Sequence, residues 1–69
     1  MTYKYNKLKG RIAEKCGTQK KFAELMGLSE RTISLKMNNE IAFTQTDIAK
    51  ASKILELEPN DLHSYFFSL

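Results

Sequence analysis

Two short amphipathic stretches separated by only three residues constrain the fold of this chain more than any other feature of its sequence. The stretches cover residues 19–26 and 30–37. Thr18 and Ser29 are residue types that cap helix N-termini, and Gly27 can adopt the positive φ that ends a helix. The segment therefore predicts two helices of about two turns each, joined by a tight turn.

The rest of the chain carries the same helical periodicity. Apolar residues recur at intervals of three and four, between short segments containing Gly, Pro, Asn and Thr. Thr44 followed by Asp47 resembles a capping box, and Pro59 is of the type favoured in the first turn of a helix. No segment has the alternation of a strand. The sequence predicts an all-α chain whose helices cover residues 7–16, 19–26, 30–37, 45–55 and 59–67.

Length and composition exclude several classes of protein. A chain of 69 residues supports one hydrophobic core, which predicts a single domain over residues 1–69. Cys16 is the only cysteine and His63 the only histidine, so an internal disulfide and a four-ligand zinc site are excluded. Without a phosphate loop or paired nucleophile motif, we expect no enzyme, no metal or other cofactor and no small-molecule ligand. No apolar run fits a bilayer or a signal peptide, which predicts a cytoplasmic protein without membrane contact.

Charge is distributed unevenly along the chain. Residues 1–36 contain nine basic and three acidic residues, a net charge of +6, whereas the remainder contains two basic and five acidic residues, a net charge of −3. A basic front half attached to an acidic rear half fits a protein that presents one face to a polyanion. A lysine-rich surface that is merely solvated would have the same composition.

Residues 19–38 have the layout of a helix-turn-helix. The Thr-Gln start, the Phe-Ala pair, the Gly-Leu-Ser turn and the Thr-Ile-Ser sequence resemble the lambdoid phage repressor and Cro family, also called Xre-like regulators. The later Phe-Thr-x-x-Asp-Ile and Leu-x-Pro-x-Asp-Leu segments extend this resemblance over residues 6–67. That family usually has an apolar residue where Lys36 stands, and here Met37 is expected to take over the anchoring. The resemblance implies a compact five-helix, lambda-repressor-like DNA-binding domain in which the second and third helices form the helix-turn-helix.

The same resemblance implies a function. We expect a sequence-specific transcriptional regulator that binds a double-stranded DNA operator and, like Cro or a repressor, blocks a promoter of a phage, prophage or mobile element. A single module buries only about 600 to 1,000 Å² on DNA, so useful affinity requires two copies. A homodimer is therefore expected.

Helical geometry identifies candidate base-reading residues. With Ile33 pointing inward, Arg31 and Leu35 point outward, where Arg31 can donate two hydrogen bonds to guanine and Leu35 can touch a thymine methyl group. The helix start enters the major groove in helix-turn-helix proteins. The predicted base-reading residues are Glu30, Arg31, Thr32, Ser34 and Leu35. Glu30 also fits simple complementarity to the helix dipole, and Leu35 also fits an incidental surface leucine.

A second set of polar residues borders that surface and is predicted to contact phosphates. The start of the second helix offers a hydroxyl, an amide and free backbone N–H groups. The predicted phosphate-binding residues are Thr18, Gln19, Lys20, Lys36, Asn38 and Asn39. The basic residues in and near the first helix, Lys4, Lys7, Lys9, Arg11 and Lys15, could add phosphate contacts, but we expect them mainly to solvate the surface of that helix.

The aromatic rear half predicts a contact surface. Tyr65, Phe66 and Phe67 occupy three successive helical positions and cannot all face one core. With Phe66 inward, Tyr65 and Phe67 are predicted to form the dimer interface, unless the chain end frays or folds back over the core. A function from another class also fits, namely a protein-interaction module, antirepressor-like or antitoxin-like. Such a module keeps the helix-turn-helix scaffold and binds a protein through its acidic, aromatic-rich rear half.

Overall fold

The computed structural model describes residues 2–69, and in that range the chain is all-helical, with five α-helices and no strand. The helices are α1 (Asn6–Cys16), α2 (Gln19–Met26), α3 (Glu30–Met37), α4 (Gln45–Ile54) and α5 (Leu62–Phe66). They pack into a body of 25 × 25 × 21 Å. The predicted all-α fold with five helices is confirmed, although a 3-10 turn over Pro59–Asp61 replaces the expected start of the fifth helix.

Side-chain caps fix where the middle helices begin. The Thr18 hydroxyl accepts a hydrogen bond from the Lys21 N–H at 3.1 Å, and Ser29 caps α3 in the same way. Thr44 and Asp47 form a full capping box at α4. Each cap satisfies a backbone N–H that has no partner inside its own helix. These contacts explain why the first residues of these three helices could be predicted correctly from the sequence.

One apolar core joins all five helices. Their buried faces meet because each helix repeats apolar residues at three- and four-residue spacing. The largest side chains that are fully buried are those of Phe22, Phe66, Leu8, Ile33 and Leu55. Among residues 2–69, no helix is long and apolar enough to cross a membrane.

Residues 2–5, here called the amino-terminal strap, precede α1 and contact both the loop after α3 and the end of the chain. The Tyr3 N–H donates to Asn39 Oδ1 and the Asn39 side-chain amide donates back to the Tyr3 carbonyl, both at 2.9 Å. On the next residue, the Lys4 N–H donates to the Ser68 carbonyl at 2.6 Å. The strap is therefore held between the loop after α3 and the last residues of the chain.

Arg11 joins α1 to the end of α4. Its Nε donates to the Leu55 carbonyl at 2.9 Å and its Nη2 donates to the Glu56 carbonyl at 3.2 Å. Carbonyls at a helix C-terminus have no partner within the helix, so a guanidinium satisfies them and complements the helix dipole. Arg11 thus has a structural role within the fold.

Candidate functional site

The protein has two candidate functional surfaces: the outer side of α2 and α3, and an aromatic groove at the rear. On α3, Glu30 and Arg31 are exposed, whereas Thr32, Ser34 and Leu35 are half-buried. The Ser34 hydroxyl accepts a hydrogen bond from Gln19 Nε2 at 2.9 Å. The predicted base-reading residues therefore lie along one short helix, but only two of them project fully into solvent.

Several of the predicted phosphate-binding side chains have partners within the protein. The Thr18 hydroxyl caps α2, the Gln19 amide is hydrogen-bonded to Ser34, and the Asn39 amide holds the strap. Lys20 and Asn38 are exposed. The hydrogen bond of Gln19 connects α2 to α3, and that of Asn39 connects the loop after α3 to the strap. Both side chains are therefore oriented by partners within the protein.

Lys36 is buried in the protein, although it was predicted to lie on the phosphate-binding surface. Only 5% of the residue is exposed. Its Nζ lies 2.8 Å from Asp47 Oδ2 and donates to the Ala42 carbonyl at 3.0 Å. Lys36 follows Ile33 by three residues and so shares its inward face, where the long alkyl chain packs in the core. That spacing was the signal in the sequence that could have located Lys36 correctly.

Asp47, whose side chain is 16% exposed, completes this ion pair, here called the Lys36–Asp47 pair, which ties α3 to α4. Burial by itself would raise the pKa of the Asp47 carboxyl, but hydrogen bonds from the Lys36 ammonium and from the Thr44 backbone and hydroxyl, with the Lys36 charge, lower it overall. The carboxylate also accepts the Thr44 N–H at 2.9 Å as part of the capping box. One side chain therefore stabilises both a helix start and an interhelical contact.

Stability is expected to fall at acidic pH because of Asp47. Since the pKa of Asp47 is lower in the folded chain than its ordinary value of 3.8, the carboxylate stabilises the fold above that value. The contribution is lost as the pH falls through the lower folded pKa. Urea unfolding between pH 6 and pH 2 should give a shallower decline for Asp47→Asn than for the unchanged chain. Parallel declines in the two proteins would contradict this expectation.

The second surface is a groove of about 250 Å³ beside the strap, here called the rear groove. Five aromatic rings line it, those of Tyr3, Tyr5, Phe43, Phe66 and Phe67. Asn39, Ile41, Ala42 and Ile48 complete the lining. The rings contact one another mainly edge to face, with centroids 5.2 to 5.8 Å apart in three of the pairs. This geometry is the favoured one for aromatic packing.

The two residues predicted to form a dimer interface have different neighbours. Tyr65 is half-buried, and the Lys7 ammonium lies 4.7 Å from the centre of its ring. Phe67 is 41% exposed and packs edge to face on Tyr3. Of the two, only Phe67 belongs to the rear groove. The aromatic triplet of the sequence did signal this surface, but the contributions of the strap and of the loop after α3 were missed.

The potential metal ligands and the single thiol are placed as follows. Between residues 2 and 69, no group of three or more His, Cys, Asp or Glu side chains is placed to hold a metal ion. Cys16 is half-buried, and burial raises the pKa of its thiol despite the charge of Lys21. A raised thiol pKa leaves less of the reactive thiolate at neutral pH.

Comparison with known proteins identifies relatives of the chain. The model of a family described as "Protein of unknown function (DUF739)" matches residues 1–69. No curated protein matches the chain. Among solved structures, the chain is similar to the solution structure of the modulator of repression (MOR) of the temperate bacteriophage TP901-1 from Lactococcus lactis. The two are 54% identical, with a TM-score of 0.86, and the match covers 97% of this chain and 90% of that chain.

These comparisons correct the family and the function expected from the sequence. The assignment to the lambdoid repressor and Cro family is wrong, because a different family matches and the similar structure is a modulator of repression. The expected promoter-blocking repressor function is also wrong, as are the expected operator DNA partner and homodimer. The resemblance depended largely on residues such as Gly27 and Ile33, which set how helices turn and pack. Such residues specify a scaffold and carry no information about its partner.

Proposed function

This chain belongs to the DUF739 family, and we propose that it is a phage regulator that modulates repression by binding a protein partner. The observation that carries the proposal is the 54% identity, over nearly the whole chain, to a phage modulator of repression. In this proposal the chain is antirepressor-like, acts in the cytoplasm of a bacterial host and performs no catalysis.

We further propose that α2 and α3 form a helix-turn-helix that serves as a scaffold within a single domain. Eight-residue helices joined by Gly27–Ser29 support this, with Gly27 at a positive φ of 73°. The hydrogen bond from Gln19 to Ser34 and the buried position of Lys36 support a structural role for polar groups at this hairpin.

The rear of the molecule is the proposed partner-binding side. Glu40, an exposed carboxylate next to the groove-lining residue Ile41 in the sequence, forms no ion pair within residues 2–69. Ile41 and Phe67 are 43% and 41% exposed beside the rear groove. Large apolar side chains exposed together, with polar groups near them, are characteristic of protein-binding surfaces.

A reporter of the phage TP901-1 repression system tests the proposal in Lactococcus lactis. The gene of the related modulator is replaced by the gene of this chain, and promoter activity is compared with strains that carry the original modulator or none. We expect this chain to shift promoter activity in the direction of the original modulator. Activity equal to that of the strain without a modulator would count against the proposal.

Selecting the sequences that the isolated chain binds from a pool of random duplex DNA tests whether the chain acts through DNA or through a protein. A regulator that works through a protein should enrich no base sequence, although its net charge of +3 permits weak, salt-dependent attraction to any duplex. Enrichment of a defined palindrome by the isolated chain would contradict the proposed mechanism.

A further inference from the structure

We infer that Asn39 is a positioning residue for partner binding: it holds the amino-terminal strap to the loop after α3 and thereby keeps the Tyr3 ring in the wall of the rear groove. The inference rests on the proposed function for the statement that the partner binds at this side. It deepens that function by naming the side chain that gives the binding surface its shape, and this side chain acts through Tyr3.

The backbone of Asn39 restricts which residue types can occupy this position. Asn39 has a φ of 65°, in the left-handed region. Its N–H donates to the Lys36 carbonyl at 3.2 Å, so this conformation directly follows the end of α3. Glycine adopts the left-handed region without strain, asparagine and aspartate at a modest cost, and other residue types rarely. The backbone therefore narrows the choice to Gly, Asn or Asp but does not explain why the chain has Asn.

The side chain of Asn39 explains that choice. Its Oδ1 accepts the Tyr3 N–H and its Nδ2 donates to the Tyr3 carbonyl, both at 2.9 Å, and these two hydrogen bonds are here called the Asn39–Tyr3 bridge. The amide offers one acceptor and one donor, as a peptide group does, so it pairs with the strap backbone as a neighbouring strand would. Glycine has no such group, and an ionised aspartate has no donor. Only asparagine meets both the backbone and the side-chain requirement.

The Asn39–Tyr3 bridge places the Tyr3 ring. Tyr3 is half-buried, and its ring packs edge to face on Phe67, with centroids 5.8 Å apart. Both rings and Asn39 line the rear groove. The Lys4 N–H, next along the strap, donates to the Ser68 carbonyl. Because these attachments lie on adjacent residues, loss of the bridge should release both the Lys4 contact and the Tyr3 ring.

Two hydrogen bonds are enough to determine whether the strap is closed. One net hydrogen bond corresponds to a factor of about 2 to 10 in an equilibrium constant, so two correspond to a factor of about 5 to 100. Terminal segments are poorly ordered unless contacts tie them down. A factor of this size therefore separates a strap that is mostly closed from one that is often open.

Asn39→Gly tests the bridge, because glycine keeps the left-handed backbone and removes both hydrogen bonds. In ¹H–¹⁵N NMR of the full chain, hydrogen exchange at the Lys4 amide should become about 5- to 100-fold faster, although its own acceptor, the Ser68 carbonyl, is unchanged. Nuclear Overhauser effects between the Tyr3 and Phe67 rings should weaken. The amide of Ile12, buried in α1, reports global unfolding, so the change at Lys4 is measured relative to it.

Asn38→Gly is the matched control, because it places the same flexible residue one position earlier, at an exposed side chain that takes no part in the bridge. It should leave Lys4 exchange and the ring contacts as they are in the unchanged chain. The inference is overturned if Asn39→Gly leaves Lys4 exchange unchanged relative to Ile12. It is also overturned if Asn38→Gly accelerates that exchange equally, since flexibility of the loop would then be the cause.

The repression reporter connects the bridge to the partner. At equal cellular amounts, Asn39→Gly should lose at least about half of the effect of the chain on the promoter, because less of the protein has a closed strap. Tyr3→Ala, which removes the ring and keeps the backbone groups of the bridge, should lose as much, and Asn38→Gly should keep full activity.

The outcomes separate the inference from the proposed function. If Asn39→Gly or Tyr3→Ala remains fully active, Asn39 does not act by placing that ring, so the inference fails and the proposed function stands. If the unchanged chain is inactive, the proposed function fails, and the exchange measurements alone decide whether Asn39 holds the strap.

Discussion

Replacement of Asp47 by asparagine is expected to lower the free energy of unfolding by about 3 kcal/mol. The substitution retains the shape of the side chain and an oxygen that can accept the Thr44 N–H, but it removes the charge opposite the Lys36 ammonium. Lys36 is then a buried cation whose remaining partner is the Ala42 carbonyl. Breaking one side of a buried ion pair typically costs about 3 to 5 kcal/mol. Urea unfolding at pH 7, followed by circular dichroism, measures the loss.

A double-mutant cycle separates the lost pair from other effects. Lys36→Met keeps the alkyl length without the charge, so the double variant Lys36→Met, Asp47→Asn should be more stable than Asp47→Asn alone. Asp61→Asn, at an exposed carboxylate without an ion pair in residues 2–69, should change stability by less than about 0.5 kcal/mol. A cost below about 1 kcal/mol for Asp47→Asn would show that water reaches Lys36 and that the pair is not truly buried.

Replacement of Phe66 by alanine is expected to be at least as damaging, with a loss of about 3 to 5 kcal/mol. The ring is 1% exposed and packs edge to face on Phe43, with centroids 5.2 Å apart. It is the one fully buried side chain of α5, which at five residues is too short to be stable by itself. Small domains are stable by only about 0.05 to 0.15 kcal/mol per residue, so this variant should lie close to its unfolding threshold. Thermal and urea unfolding measure the change.

Ser64→Ala tests whether the effect comes from burial. Ser64 is exposed in the same helix, and its replacement should alter stability by no more than about 0.5 kcal/mol. If Phe66→Ala lowers the free energy of unfolding no more than Ser64→Ala does, then packing of α5 on the core does not stabilise the fold. The floor of the rear groove would then be mobile.

The helices could be predicted from the sequence because local chemistry determines their starts and ends. Thr18, Gly27 and Ser29 cap or terminate helices through contacts within four residues along the chain. The error at the fifth helix is also local. Pro59 is well suited to a first turn, but the Asp61 N–H bonds to the Glu58 carbonyl three residues earlier, which gives a 3-10 turn in place of an α-helical one.

The functional surfaces could not be predicted to the same extent, because they depend on contacts between distant residues. Asn39 was expected to face phosphates, yet it binds the backbone of Tyr3, 36 positions away in sequence. The rear groove combines the strap, the loop after α3, α4 and the chain end, and helical periodicity cannot show that these four segments meet. Fold resemblance also gave the wrong partner class, since one scaffold supports many functions.

The hydrogen bond from Lys4 to Ser68 connects residues from opposite ends of the sequence. Closing so long a loop is entropically costly, so we expect this contact to form late in folding and to be among the first to open in the native state. We therefore expect the groove wall formed by Tyr3 and Phe67 to open more often than the helical core. A ligand that contacts both Tyr3 and Phe67 would stabilise the closed form of this wall and slow hydrogen exchange at the Lys4 amide.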